Sequence, residues 1–157
     1  MDIDGNQNAE SLIPRGWQRA GALSEFFASA NGSRIAVPQY IYASGVGKHS
    51  SSLRPQETIT PLAEKLTIRI DTKFLKGQES DVANDAMNRS GIVLISWEHQ
   101  NIHLIANQIL GNTTTSPQNW PGDRFDLVWV FDIQSGSYKF DQVPQQLLSG
   151  DRNTIIS

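Results

Sequence analysis

This chain holds few side chains that could do chemistry. Among its 157 residues are three histidines and no cysteine, so disulfides, thiolate nucleophiles and Cys-ligated zinc are excluded together. Two stretches combine reactive types with a strand end or a helix start. ASGVGKHSSSLRPQET (43–58) carries Ser44, Lys48, His49 and Arg54; SWEHQN (96–101) carries Glu98 and His99. Arg54 directly precedes a proline-led helix. Its guanidinium can grip a phosphate through two parallel hydrogen bonds beside the free N–H groups of a first helical turn. A solvated arginine at a helix start has the same local sequence. His99 follows a buried strand, where an imidazole serves either as a working base or as a hydrogen-bonded structural residue.

Other readings of these residues are weaker. His99 and His103 are four apart, but the zinc-protease pattern needs Glu directly after the first His, and here Glu98 precedes it. No metal is expected. Trp97, Trp120 and Trp129 suit core packing better than a stacking surface: Trp129 falls within LVWVF, and Trp120 can pin the SPQNWPGDRF loop. Glu79 and Glu98 are the carboxylates nearest to useful places, although Glu79 also favours the start of a helix through the dipole. A net charge of −3 and a pI of about 5.5 argue against nucleic acid or an anionic membrane as partner. The apolar runs are short of a membrane span, and MDIDGNQNAES is no signal peptide. A cytoplasmic protein is expected.

The elements that must position these residues alternate. PRGWQRAGALSEFFAS from Pro14 predicts a helix with Trp17, Ala20, Leu23 and Phe27 inward. YIYAS (40–44) reads as a strand, and a helix opening at Pro55 buries Ile59, Leu62, Ala63 and Leu66. TIRID (67–71) reads as an edge strand. ESDVANDAMNRSG is a helix with Val82, Ala83, Ala86 and Met87 inward. Then come a strand over 92–96, a helix over 101–110 ended by Gly111, and a strand over 125–133, with SYKFDQV as a final edge strand. This order predicts one α/β domain over 1–157, flexible over 1–11, with a mainly parallel sheet covered by helices on both faces. The series starts with a helix, yet a right-handed crossover needs a strand before it. Residues 1–10 are too polar to supply one, so either the sheet starts late or a strand is missing from the front.

Several stretches together resemble the histidine phosphatase (phosphoglycerate mutase-like) superfamily from about Leu12 to Ile133. LIPRGWQRAGAL resembles its helix entry, with Ile13 where the family usually has a capping Thr. YIYASGVGKHSSSLRPQETITPLAEKL resembles its strand, serine, arginine and Gln-Thr segment with an enlarged loop. GIVLISWEHQNIHLIANQIL resembles its second-histidine segment, and WPGDRFDLVWVFD a last strand. The resemblance implies a three-layer α/β/α fold and phosphate-monoester hydrolysis through phosphohistidine, with no cofactor. Arg54 would be the second arginine and His99 the second histidine. Glu79 or Glu98 would be the general acid, with Ser44, Lys48 and His49 on the substrate side. The partner would be a phosphorylated small molecule or a phosphoprotein. The family's nucleophile lies in an Arg-His-Gly motif on the first strand, and no Arg-His-Gly occurs here. His49 as a substitute nucleophile has no motif behind it. A weak or inactive phosphatase is therefore expected; the alternative is a non-catalytic module binding phosphate, a phosphopeptide or a protein partner. Exposed sheet edges would make self-association possible.

Overall fold

The computed structural model describes residues 10–30 and 34–157. Three strands form a parallel sheet in the order β2-β1-β3: β1 is Tyr40–Ala43, β2 Ile70–Asp71 and β3 Val93–Ser96. Tyr40 lies opposite Val93 and Ala43 opposite Ser96, while Ile41 lies opposite Ile70. The period of two along β1 sends Ile41 and Ala43 to one face and Tyr42 to the other. Helices α1 (Pro14–Ala28) and α2 (Arg54–Leu66) cover the first face, burying Leu23, Phe27, Ile59, Leu62 and Ala63. Helices α3 (Glu79–Met87) and α4 (Ile102–Leu110) cover the second, where Val82, Ala83, Ala86 and Ile105 meet Tyr42 and Trp97. The α/β class and the helices on both faces thus follow from the apolar spacing.

Four expectations change in detail. Trp17 stays 44% exposed while Ala20, Leu23 and Phe27 fill the core, because helical spacing marks a stripe without fixing how far it extends toward the end of the helix. The strand expected over 67–71 shrinks to Ile70–Asp71. Thr67 ends α2 in the left-handed region at φ 55°, its N–H bonded to the Glu64 carbonyl, and this turn takes the first residues of the run. A 3₁₀ turn, His99–Asn101, precedes α4, and Gly111 closes that helix at φ 73°. The strand expected over 125–133 does not join the parallel sheet. As β4 (Leu127–Gln134) it pairs antiparallel with β5 (Ser137–Pro144) in a separate hairpin. Ser135 and Gly136, both at positive φ, form its two-residue turn and make the local pairing easy to close. The flexibility expected for 1–11 falls mostly outside the described residues. At its end, Leu53 N–H donates to the Glu10 carbonyl and Leu12 N–H to Glu57 Oε2 at 2.7 Å, so the entry to α1 is tied to the start of α2.

Candidate anion-binding site

Arg54 and His99 come together at the carboxyl ends of β1 and β3, where parallel sheets gather their ligands. Several bonds hold α2 there. Ser96 Oγ donates to the Pro55 carbonyl at 2.7 Å, and Gln56 Nε2 donates to the Ser44 carbonyl at 3.3 Å. One bond ties the helix to the end of β3, the other to the end of β1. Ser52 Oγ accepts the Arg54 N–H at 3.4 Å. The helix has no side-chain cap at Leu53.

A second pair of links brings in a residue that sequence reasoning missed. Gly45 N–H donates to the Phe74 carbonyl at 2.8 Å, joining the loops after β1 and β2. A Cβ on Gly45 would stand 2.3 Å from the Thr72 carbonyl oxygen, so this approach needs glycine. The joined loop carries Lys76 to the rim. Its Nζ is 3.7 Å from Glu98 Oε1 and donates to Gln100 Oε1 at 3.2 Å. Glu98 Oε1 also accepts from Ser50 Oγ at 2.8 Å. The only hint of Lys76 in the sequence is its place after a strand, which many lysines share.

His99 sits half-buried among these charges. Burial pushes its imidazole below the ordinary histidine range, the Arg54 and Lys76 cations push it further down, and Glu98 opposes them. The ring is therefore neutral near pH 7. Its Nε2 faces Gly122, where an added Cβ would lie 3.6 Å away. A neutral imidazole, two cations and one carboxylate around a helix start make a cluster able to hold an oxyanion and exchange a proton with it.

The other candidates are distributed less evenly. Glu98 belongs to the cluster; Glu79 does not. Glu79 is buried, and its Oε1 accepts from Gly77 N–H, Asn101 Nδ2 and Trp97 Nε1 at 3.0, 2.7 and 3.1 Å. Burial alone would raise its proton affinity, but the donors outweigh burial and hold the carboxyl below the usual range. A carboxylate so engaged orients the turn before α4 and has no proton to give, so Glu79 does not fit the general acid the resemblance implied. Ser44 is 1% exposed, its Oγ without a partner among the described residues. Lys48 and His49 lie exposed on the loop. His49 stands by Gly77, its Cδ2 3.9 Å from where a Cβ there would be. That loop is pinched by the Gly47–Ser50 bridge. Trp120 pins its own loop as expected, donating from Nε1 to the Arg124 carbonyl at 2.7 Å. Among the described residues no three His, Asp or Glu side chains group as metal ligands, and no helix is long and apolar enough to cross a membrane. No protein-family model matches the sequence, and no curated protein matches it either.

Proposed function

We propose that the rim holding Arg54, Lys76, Glu98 and His99 binds a phosphate monoester, in a domain related to the phosphoglycerate mutase-like histidine phosphatases. The observation that carries this reading is His99 itself, whose imidazole is pushed below the ordinary range, by burial first and the Arg54 and Lys76 cations next, where α2 starts over the strand ends. Such a site attracts a dianion, and the neutral ring can share a proton with it. The parallel β2-β1-β3 order with helices on both faces is compatible with the phosphoglycerate mutase-like architecture. A phosphorylated metabolite or phosphoprotein of the cytoplasm is the partner this reading implies.

Hydrolysis through phosphohistidine needs a second imidazole on the far side of the phosphorus. His103 lies on α4, half-buried, its Nδ1 without a partner among the described residues, and His49 lies on the exposed loop. Neither belongs to the Arg54–His99 cluster, so the site is read as binding phosphate with little turnover. Calorimetry with phenyl phosphate, beside an assay for released phenol, tests this directly. Saturable binding that weakens roughly ten- to hundred-fold in Arg54→Ala, the loss of a charge-assisted bond worth about 1.5–3 kcal/mol, is the expected result. Equal affinity in the two proteins would remove the reading, and rapid phenol release abolished in His99→Ala would overturn the inactivity.

A further inference from the structure

The β1–β2 side of the sheet holds a cavity of about 490 Å³ in which Arg54 and His99 take no part. The strand register decides which side chains reach it. Tyr42 lies opposite Asp71 and Ile41 opposite Ile70, and residues paired across parallel strands send their side chains to one face. Ile41 and Ile70 join the α1–α2 core. Tyr40 and Tyr42 pack toward α3 and α4, so Asp71 shares their face. Arg69 and Lys73 flank β2 and line the same cavity.

A chain of contacts fixes an arginine here. The buried Tyr42 donates its hydroxyl to the Asp85 carboxylate and accepts from Arg89 Nε at 2.9 Å. The Arg89 guanidinium lies 4.8 Å from the centre of the Tyr40 ring and 5.9 Å from that of Tyr42. Its Nη groups have no hydrogen bond among the described residues, Nη2 standing 3.9 Å from Asp85 Oδ2. Lys73 Nζ is 3.4 Å from the same oxygen and 3.5 Å from Asp71 Oδ2. Two cations thus converge on one point with donors to spare. The Tyr42 hydroxyl, Lys73 and Arg89 hold the Asp85 carboxyl below its usual range, so it stays ionised.

Charge and shape narrow the ligand. Arg69, Lys73 and Arg89 stand against Asp71 and Asp85, which leaves one positive charge in excess. A monoanion neutralises that excess, whereas a dianion also meets the two carboxylates. A carboxylate is planar, as the guanidinium fork is, and can bridge it to an ammonium. The Tyr40 ring and the guanidinium beside it are flat surfaces, which a flat apolar body covers best. A volume of about 490 Å³ is that of a small-molecule site.

We propose that this cavity binds a small aromatic monocarboxylate, its carboxylate bridging Lys73 and Arg89 and its ring lying against Tyr40 and the Arg89 guanidinium. The inference stands apart from phosphate binding at Arg54 and His99.

The probe is benzoate, titrated into the full chain and followed by NMR of the backbone amides. Saturable binding is expected, with shifts at Tyr40, Tyr42, Asp71, Lys73 and Arg89 and none at Arg54 or His99. Arg89→Gln should weaken it by about tenfold or more and Lys73→Gln by about threefold or more. Arg89→Lys keeps the charge but has no fork, so it should weaken binding while the spectrum away from the cavity stays unchanged. Benzamide, the uncharged isostere, should not bind. No saturation up to about 10 mM benzoate, undiminished affinity in Arg89→Lys, equal binding of benzamide, or shifts centred on Arg54 and His99 would overturn the proposal. So would phenyl phosphate binding more tightly than benzoate at these amides, which would make the cavity a site for dianions.

Discussion

Beside the hairpin, Arg124 has only 4% of its side chain exposed, with Nε donating to Asp126 Oδ1 at 2.7 Å and Nη2 to the Thr154 carbonyl at 2.6 Å. The second oxygen of Asp126 accepts Arg152 N–H at 2.8 Å. Burial would raise the proton affinity of Asp126, but these donors outweigh it and hold the carboxyl below its usual range. At the ends of the parallel sheet the charges are looser. Lys76 keeps 25% and Glu98 13% of its side chain exposed, and their 3.7 Å separation is too long for a hydrogen bond. Beside them stands a histidine shifted by its neighbours. A closed, saturated pair serves the fold, whereas an open cluster around a shifted imidazole is an arrangement a ligand can complete.

The largest expected effect comes from breaking the closed pair. Arg124→Ala leaves Asp126 buried without its partner and should cost about 3–5 kcal/mol in urea unfolding. Arg54→Ala should cost less than Arg124→Ala by the same measurement while it weakens phenyl phosphate binding roughly ten- to hundred-fold. Similar losses of stability in the two variants would erase the distinction between the regions.

Next comes the division of labour between the two glutamates. Glu79→Ala strands Trp97 Nε1 and Asn101 Nδ2 beneath the turn, and thermal unfolding should show a loss of about 1–3 kcal/mol. Affinity for phenyl phosphate at a temperature where the variant is folded should fall less than in Arg54→Ala, since Glu79 reaches the site only through the turn that carries His99. Glu98→Gln should do the reverse: it removes a negative charge beside the bound anion, so calorimetry should show tighter binding with stability little altered. Weaker binding in Glu98→Gln would instead make that carboxyl a proton donor to the phosphate.

Legibility in the sequence followed how local the cause is. Ala20, Leu23 and Phe27 in α1, or Val82, Ala83 and Ala86 in α3, announce themselves by spacing, and both helices form where expected. Gly111 was readable as a stop because glycine takes φ 73° without a Cβ clash. Thr67, taking φ 55° with a branched side chain, was not, and it shortens β2. The run 125–133 was readable as a strand, but its partner was not: pairing with β5 through the Ser135–Gly136 turn is a choice between local and distant edges that the run itself does not encode. In the site, Arg54 and His99 stood out by their places beside a proline-led helix and a buried strand. Lys76 did not, because its approach depends on Gly45 meeting Phe74 across two loops. Glu79 looked like a usable acid until its three donors were placed around it.

The smallest effect, and the one most specific to the open cluster, is the pH response of His99. Its folded pKa lies below the unfolded value of about 6.5. The unfolded chain therefore binds more proton between those two values. The contribution is fully present above about pH 6.5 and is lost as pH falls toward the folded pKa. Stability measured from pH 7.5 down to 5.5 should decline by a fraction of one proton's slope, and His99→Gln should flatten it. Arg124→Ala should leave the slope in place, since its charges lie at the hairpin and the carboxylate of Asp126 titrates lower. Sulfate, fully ionised over this range, separates the readings further. Bound between Arg54, Lys76 and His99, it would offset the cations and draw the ring's midpoint upward, so sulfate affinity should rise as pH falls toward the free ring's midpoint. A His99 ring resonance whose midpoint stays put at saturating sulfate would mean that the anion does not sit beside the imidazole.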